Sequence, residues 1–311
     1  MARSFTIGIT IHNEERNIGR LLDALRAESL EACGLARVIV VSSGSSDGSD
    51  ALVRVKAAAW DRITLVVEPE RRGKASAINH FLDAAGIAPE VLVLMSGDVL
   101  PDPGAVLKLV AAFDDAAVGM VGGRPTPAVE PGFMNGVVRL QWDLHHQIAL
   151  DNPKLGEVVA FRNLVRRIPA DTAVDEAAIE AIVRQRGFKL AYVGDAVIRN
   201  KGPRSVRDFL KQRRRIAAGH RHLRQTSGYE VSTHGAWRIA KLMAGAVAAE
   251  PRRLPHAVAA VGLEAAGRVL GLYDLYVRRK NPYIWDIAKS TKDLSAEPGP
   301  LSRAKGGGLS R

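Results

Sequence analysis

Cysteines, aromatic side chains and uninterrupted apolar spans are all scarce in this chain of 311 residues. The single cysteine, Cys33, excludes an internal disulfide and suits a reducing compartment; as a small hydrophobe it is expected to be buried. Aromatic residues make up 5% of the chain. With so few rings to stack on bases, and no recognisable RNA- or DNA-binding motif, nucleic acid is excluded as the expected partner. The amino terminus, MARSFTIGIT, has no basic segment ahead of an apolar run and no cleavage site, so a cytoplasmic location is expected. The longest apolar pattern, near 254–278, is interrupted by Glu264, Arg268 and Asp274. Each charge at the centre of a span costs roughly 2.5–3.5 kcal/mol, which disfavours crossing a bilayer. A helix lying on a membrane surface or packed on the domain is expected instead. There is no internal repeat, no Walker loop and no GxGxxG.

What is present is an ordinary globular composition, 47% apolar and 25% charged, in a chain long enough to bury a sizeable core. The net charge of +11 is unevenly spread. Residues 1–199 carry 22 Lys/Arg against 25 Asp/Glu, a net of −3, and residues 200–311 carry 22 against 8, a net of +14. On charge alone, a basic carboxyl-terminal part points to an anionic partner: phosphates, an acidic membrane surface or nucleic acid.

Short β-branched runs at 5–11, 38–42, 63–67 and 91–95 alternate with helical patterns that begin near Asn13, follow the 42–50 loop, start at Ala75 and follow Pro103. Unalternated apolar runs separated by helices indicate parallel strands covered on both faces, hence an α/β fold. Ligands in such sheets bind at the carboxyl ends of the strands, which singles out His12, Ser42, Ser43 and Asp98. The section 124–199 is less regular, with a helix at 175–186 and a strand at 191–198. A basic helix is expected over 205–223 and further helices near 236–249 and 254–278. The tail from Ser295 is Gly/Pro/Ser-rich and expected to be disordered.

Four segments have chemical potential. The loop SSGSSDGSD (42–50) precedes a helix whose first N–H groups can receive an anion. ERRGKASAIN (70–79) places Arg71, Arg72 and Lys74 at a helix start, suited to a diphosphate. Asp175 and Glu176 open the helix at 175–186, where the helix dipole alone favours them and where one could act as general base. KQRRRIAAGHRH (211–222) gathers arginines able to grip phosphate oxygens bidentately.

In this order and spacing, over roughly residues 5–220, the segments resemble the family 2 glycosyltransferases of GT-A fold. The family's Pro-x-Tyr-Asn-Glu motif is represented by Thr10-Ile11-His12-Asn13-Glu14, and its Asp-Asp-Gly-Ser-x-Asp-Gly motif by Ser42 to Gly48. Its Gly-Lys-x-x-Ala-x-Asn element matches Gly73 to Asn79, and its DxD matches Ser96-Gly97-Asp98. Its Glu-Asp pair aligns with Asp175-Glu176, and its Gln-x-x-Arg-Trp motif with Gln212 to Ile216. The departures are His12 for Tyr, Ser42 and Ser43 for two Asp, Ser96 for the first DxD acid, Ile216 for Trp, and Asn200 where the family carries His.

The resemblance implies a Rossmann-like, mostly parallel sheet flanked by helices, with a carboxyl-terminal helical extension. It divides the chain into a GT-A domain over 1–223, with its nucleotide-sugar half about 1–123 and acceptor half about 124–223, a basic extension over 224–294 and the tail. It implies inverting transfer from a UDP- or GDP-linked sugar, with Mg²⁺ or Mn²⁺ held by Asp98 and Glu176 or Asp175 as base. Thr10, His12, Glu14, Ser42, Ser43, Lys74, Ser96 and Gly97 would hold the donor, and Gln212, Arg213 and Arg215 the diphosphate or acceptor. The basic carboxyl-terminal part then suggests an anionic or lipid-linked acceptor of the cell envelope, met at the inner face of the cell membrane. Two rivals are a sugar-phosphate nucleotidyltransferase, against which HNEERN stands where a Gly-rich Arg-Lys loop belongs, and a non-catalytic nucleotide-binding module, favoured by the lost aspartates.

Overall fold

The computed structural model describes residues 3–229 and 236–278; the expected tail at 295–311 and residues 279–294 of the expected extension lie outside the described residues. The first half alternates strictly: β1 (Phe5–Ile11), α1 (Glu15–Ala27), β2 (Leu35–Ser43), α2 (Ser49–Ala59), β3 (Ile63–Glu68), α3 (Lys74–Ala85) and β4 (Val91–Ser96). After a two-residue β5 (Leu100–Pro101) come α4 (Ala105–Ala111), β6 (Val118–Pro127), α5 (Phe133–Asp151) and β7 (Val159–Arg162). The chain continues through α6 (Asp175–Gln185), β8 (Lys189–Asn200), α7 (Val206–Ser227), α8 (Ala236–Ala249) and α9 (Leu254–Tyr276).

One sheet holds the strands in the order β3-β2-β1-β4-β7-β6-β8-β5. β1 pairs in parallel with β2 and β4, β2 with β3, and β6 with β8, whereas β7 is antiparallel to both of its neighbours and β5 to β8. Every residue of β1 is buried, the signature of a strand covered on both faces. On one face Ile7 and Ile9 pack with Ile18, Leu22 and Val106. On the other, Ile39, Leu92 and Leu94 pack with Ile78, Phe81 and Ile179.

The middle section contains more regular structure than its sequence suggests. β6 reads VGMVGGRPTP, and its glycines and prolines mask a strand that runs through residues 123 and 124, the expected boundary between the halves. β7 has only four residues, too few for a period to register. Cys33 is exposed in a 3₁₀ turn rather than buried, because that turn, at Leu30–Cys33, sends only Leu30 inward.

The last helices pack on the sheet domain through α5 and α7. Gly267 and Gly271 put the backbone of α9 against α7: a Cβ at Gly271 would lie 2.7 Å from the Arg214 carbonyl oxygen and 2.8 Å from Ala217 Cβ. Arg214 forms an ion pair with Asp274 across the same seam. Among the described residues no helix is long and apolar enough to cross a membrane.

Candidate active site

The carboxyl ends of β1, β2 and β4 open onto a cavity of about 760 Å³ that extends under α5, α7, α8 and α9. Thr10, His12, Glu14, Ser43, Lys74, Ser96 and Asp98 line one end; Asp175, Glu176, Gln212, Arg213 and Arg215 line the other. Twelve of the fourteen residues singled out from the sequence therefore share one cavity. The other two, Ser42 and Gly97, sit behind its wall. The Ser42 hydroxyl is fully buried and donates to Ser45 Oγ at 2.9 Å. Gly97 is a packing position: a Cβ there would lie 2.6 Å from Ile11 Cγ2 and 3.1 Å from Glu14 Cγ.

The serine-rich loop after β2 joins the loop after β1. Asn13, in the left-handed region at φ 55°, accepts from the Ser46 N–H at 2.8 Å. The Asn13 N–H donates to Ser45 Oγ at 3.2 Å and the Glu14 N–H to Ser49 Oγ at 2.8 Å. His12 Nδ1 donates to the Ser43 carbonyl at 2.7 Å, an oxygen that can only accept. These bonds fix where this wall of the cavity stands, so that the loop's hydroxyls are used in structure.

Lys74, the first residue of α3, crosses to the first turn of α6. Its Nζ donates to Glu176 Oε1 at 2.6 Å and lies 3.8 Å from Asp175 Oδ2. Burial alone would lower the lysine, but Glu176 and Asp175 hold its ammonium charged well above the ordinary range. Burial pushes the Asp175 carboxyl up to about 7, against the pull of Lys74. Glu176 is disfavoured as an anion by burial too, yet the Lys74 charge and hydrogen bond together hold it below the usual carboxylate range. The side chain of Asp175 is 2% exposed and that of Glu176 23%, so Glu176 is the more accessible of the two. Asp98 is raised by burial, partly offset by Lys74 and Arg215.

Several further residues of this cavity had no role assigned from the sequence. Glu157, from the loop between α5 and β7, lies in it at φ 62°. Burial, then the charge of Asp98, pushes its carboxyl up to about 7. Asn200 ends β8, hydrogen-bonds Glu157 through its amide, and keeps its Oδ1 buried with no partner. At the far end Lys154, His145 and His220 gather around Arg213. Burial lowers Lys154, and Arg213 lowers it further. Burial with the charge of Lys154 takes each imidazole down to about 4, neutral at pH 7. Arg213 Nη2 donates to Gln141 at 3.2 Å while Nε sits 3.7 Å from Glu264. The only sequence signals for this group were the arginine cluster and His220 beside it.

Among the described residues no cluster of three or more His, Cys, Asp or Glu side chains forms a ready metal centre. A hard divalent cation nevertheless suits this donor set. Asp98 offers a carboxylate, and the orphaned Asn200 Oδ1 is a neutral oxygen of the kind such ions accept.

A mostly parallel sheet with an acid-and-lysine cavity at its strand ends is the architecture this chain shares with solved GT-A glycosyltransferases. The family model for glycosyl transferase family 2 matches residues 6–182, and the chain belongs to that family. Over 160 residues it is 25% identical to glycosyltransferase AglE of Haloferax volcanii, covering 51% of this chain and 49% of that protein; the chain thus spans about half the length of this curated relative. A mannosyltransferase of Pyrobaculum calidifontis, solved with GDP-Man and Mn²⁺, superposes with a TM-score of 0.59 at 25% identity, covering 91% of this chain and 82% of that one. Glucosyl-3-phosphoglycerate synthase of Mycobacterium tuberculosis, solved with Mn²⁺ and UDP, shares the fold at a TM-score of 0.53 and 19% identity, over 74% of this chain and 82% of that one.

Proposed function

We propose that this family 2 glycosyltransferase moves a sugar, with inversion, from a UDP- or GDP-linked donor to an acceptor hydroxyl or phosphate on an anionic, lipid-linked carrier of the cell envelope. The observation that supports it best is the convergence on one cavity of Asp98, Lys74, the Asp175-Glu176 pair and the α7 arginines, from four separate segments. A divalent cation, Mg²⁺ or Mn²⁺, bound at Asp98 would neutralise charge growing on the departing diphosphate. Lys74, Arg213 and Arg215 would add fixed positive charge for the same oxygens. His12 and Thr10 would face the nucleoside, with Glu14, Ser43 and Ser96 around them.

The acceptor proton would pass to Glu176 as the acceptor oxygen bonds to the anomeric carbon and the opposite carbon–oxygen bond to the diphosphate breaks. That attack from the far face gives inversion. The ion pair with Lys74 keeps Glu176 ionised before substrates arrive. A diphosphate drawing Lys74 away would raise the basicity of Glu176 at the moment it is needed. Lys154, Arg213 and Arg268 at the acceptor end suit a phosphate-bearing acceptor.

A membrane-facing role is supported by α9. Leu254, Val258, Val261, Val269, Leu272 and Tyr276 are exposed and recur at helical spacing on one stripe, and Val261 also lines the cavity. Such a stripe beside the acceptor end would let a lipid-anchored acceptor enter from a membrane at the inner face of the cell.

A panel of nucleotide sugars scored by thermal shift with and without Mn²⁺ tests the reading. GDP-mannose comes first, because a neighbour at 25% identity holds it. The donor should raise Tm, more so with Mn²⁺; no shift with any donor would sink the proposal.

A further inference from the structure

The Ser96-Gly97-Asp98 turn offers one acid where the family's motif has two. The structure brings a second carboxylate into the same cavity from elsewhere in the chain. Glu157 sits in the loop between α5 and β7, far from Asp98 in sequence, yet both line the cavity and the charge of Asp98 acts on Glu157. The antiparallel insertion of β7 beside β4 brings this loop to the strand ends, Val159 pairing with Leu94.

Three further observations concern the same spot. Glu157 holds a left-handed backbone at φ 62°, uncommon for a residue with a side chain and seen where surrounding structure imposes it. Asn200 hydrogen-bonds the Glu157 carboxylate, which orients it, while Asn200 Oδ1 is buried without a partner. A buried orphan oxygen is costly unless something fills its place.

We propose that Glu157 supplies the carboxylate missing at Ser96, and that Asp98, Glu157 and Asn200 Oδ1 together hold the divalent cation. Two carboxylates and an amide oxygen form an all-oxygen set, suited to Mg²⁺ or Mn²⁺. Asn200 serves twice, as a ligand through Oδ1 and as the positioner of Glu157 through its amide N–H. This inference rests on the metal-dependent reading above, but concerns which residues bind the ion.

The test is Mn²⁺ binding to the full chain, followed by the loss of the free-ion electron paramagnetic resonance signal, with and without GDP or UDP. Glu157→Gln should weaken Mn²⁺ about ten-fold or more, and Asp98→Asn should do the same. Glu157→Asp, which keeps the charge but withdraws the oxygen, should weaken it too; a purely through-space role would leave that variant at wild-type affinity. Asn200→Ala should also bind Mn²⁺ less tightly, and it bears the test should Glu157→Gln fail to fold, which its melting curve reveals. Wild-type Mn²⁺ affinity in both Glu157 variants, alongside loss in Asp98→Asn, overturns this inference and leaves the proposed transferase reading standing. Absence of Mn²⁺ binding by the wild-type chain with either nucleotide overturns both the inference and the metal part of that reading.

Discussion

Lys74 is the residue on which the charge of the cavity turns. At 2.6 Å from Glu176 it holds that carboxylate ionised, while at 3.8 Å from Asp175 it only partly offsets the burial that raises Asp175 to about 7. Glu176→Gln keeps the shape but cannot take a proton. Transfer should fall about 10²–10⁴-fold while the donor still raises Tm, measured by turnover and thermal shift on one preparation. Retention of full turnover would move the base to Asp175. The raised Asp175 has a consequence for stability. Its folded pKa lies above the unfolded carboxylate value, so between about pH 4 and pH 7 the folded state keeps a proton that the unfolded chain has lost. Stability from this group is present at the acid end and is lost as pH rises through 7. Melting in EDTA from pH 5 to pH 8 should therefore show a fall in Tm that is smaller in Asp175→Asn; equal slopes would refute it. Lys74, Asp98 and the acidic pair were visible in the sequence because each lies within a contiguous motif. Glu157 and Lys154 were not, since nothing next to them along the chain marks them, and only the fold makes them neighbours of Asp98 and Arg213.

At the scale of elements, α7 and α9 form the unit that presents the arginines. Ser205 caps α7 by accepting from the Asp208 N–H at 3.1 Å, and the helix then runs to Ser227. Its Arg213 and Arg215 line the cavity, while Arg214 forms the ion pair with Asp274 of α9. The seam with α9 depends on the missing side chain at Gly271. Gly271→Val would force the two helices apart, because the nearest contacts include backbone. Overpacking of this kind costs roughly 1–3 kcal/mol. Both Tm and transfer should fall, with donor affinity less affected than acceptor affinity. An unchanged acceptor KM would show that α9 does not set the arginines. The strands of the first half were legible as apolar runs; β6 and β7 were not, because Gly122, Gly123 and Pro125 lie in one and four residues make up the other.

For the whole molecule, the proposed membrane-facing role draws on the net of +14 over residues 200–311 and on the apolar stripe of α9. Attraction of basic groups to anionic lipid adds about 1 kcal/mol per Lys or Arg near the surface and is screened by salt. The full chain should sediment with phosphatidylserine-containing vesicles at low salt and dissociate as NaCl rises. Val269→Glu with Leu272→Glu, both exposed in the fold, should reduce binding without lowering Tm; undiminished binding would refute a role for the stripe. The sequence alone determined the parallel α/β half and the order of the motif segments. Those depend on local apolar runs, turn residues and helix starts, which adjacent residues encode. Only the tertiary structure decided that α8 and α9 roof the cavity, and that Glu157 and Asn200 meet near Asp98. Those contacts join distant parts of the chain through an antiparallel strand and a helix seam, and they exist only once the sheet has closed and the helices have packed.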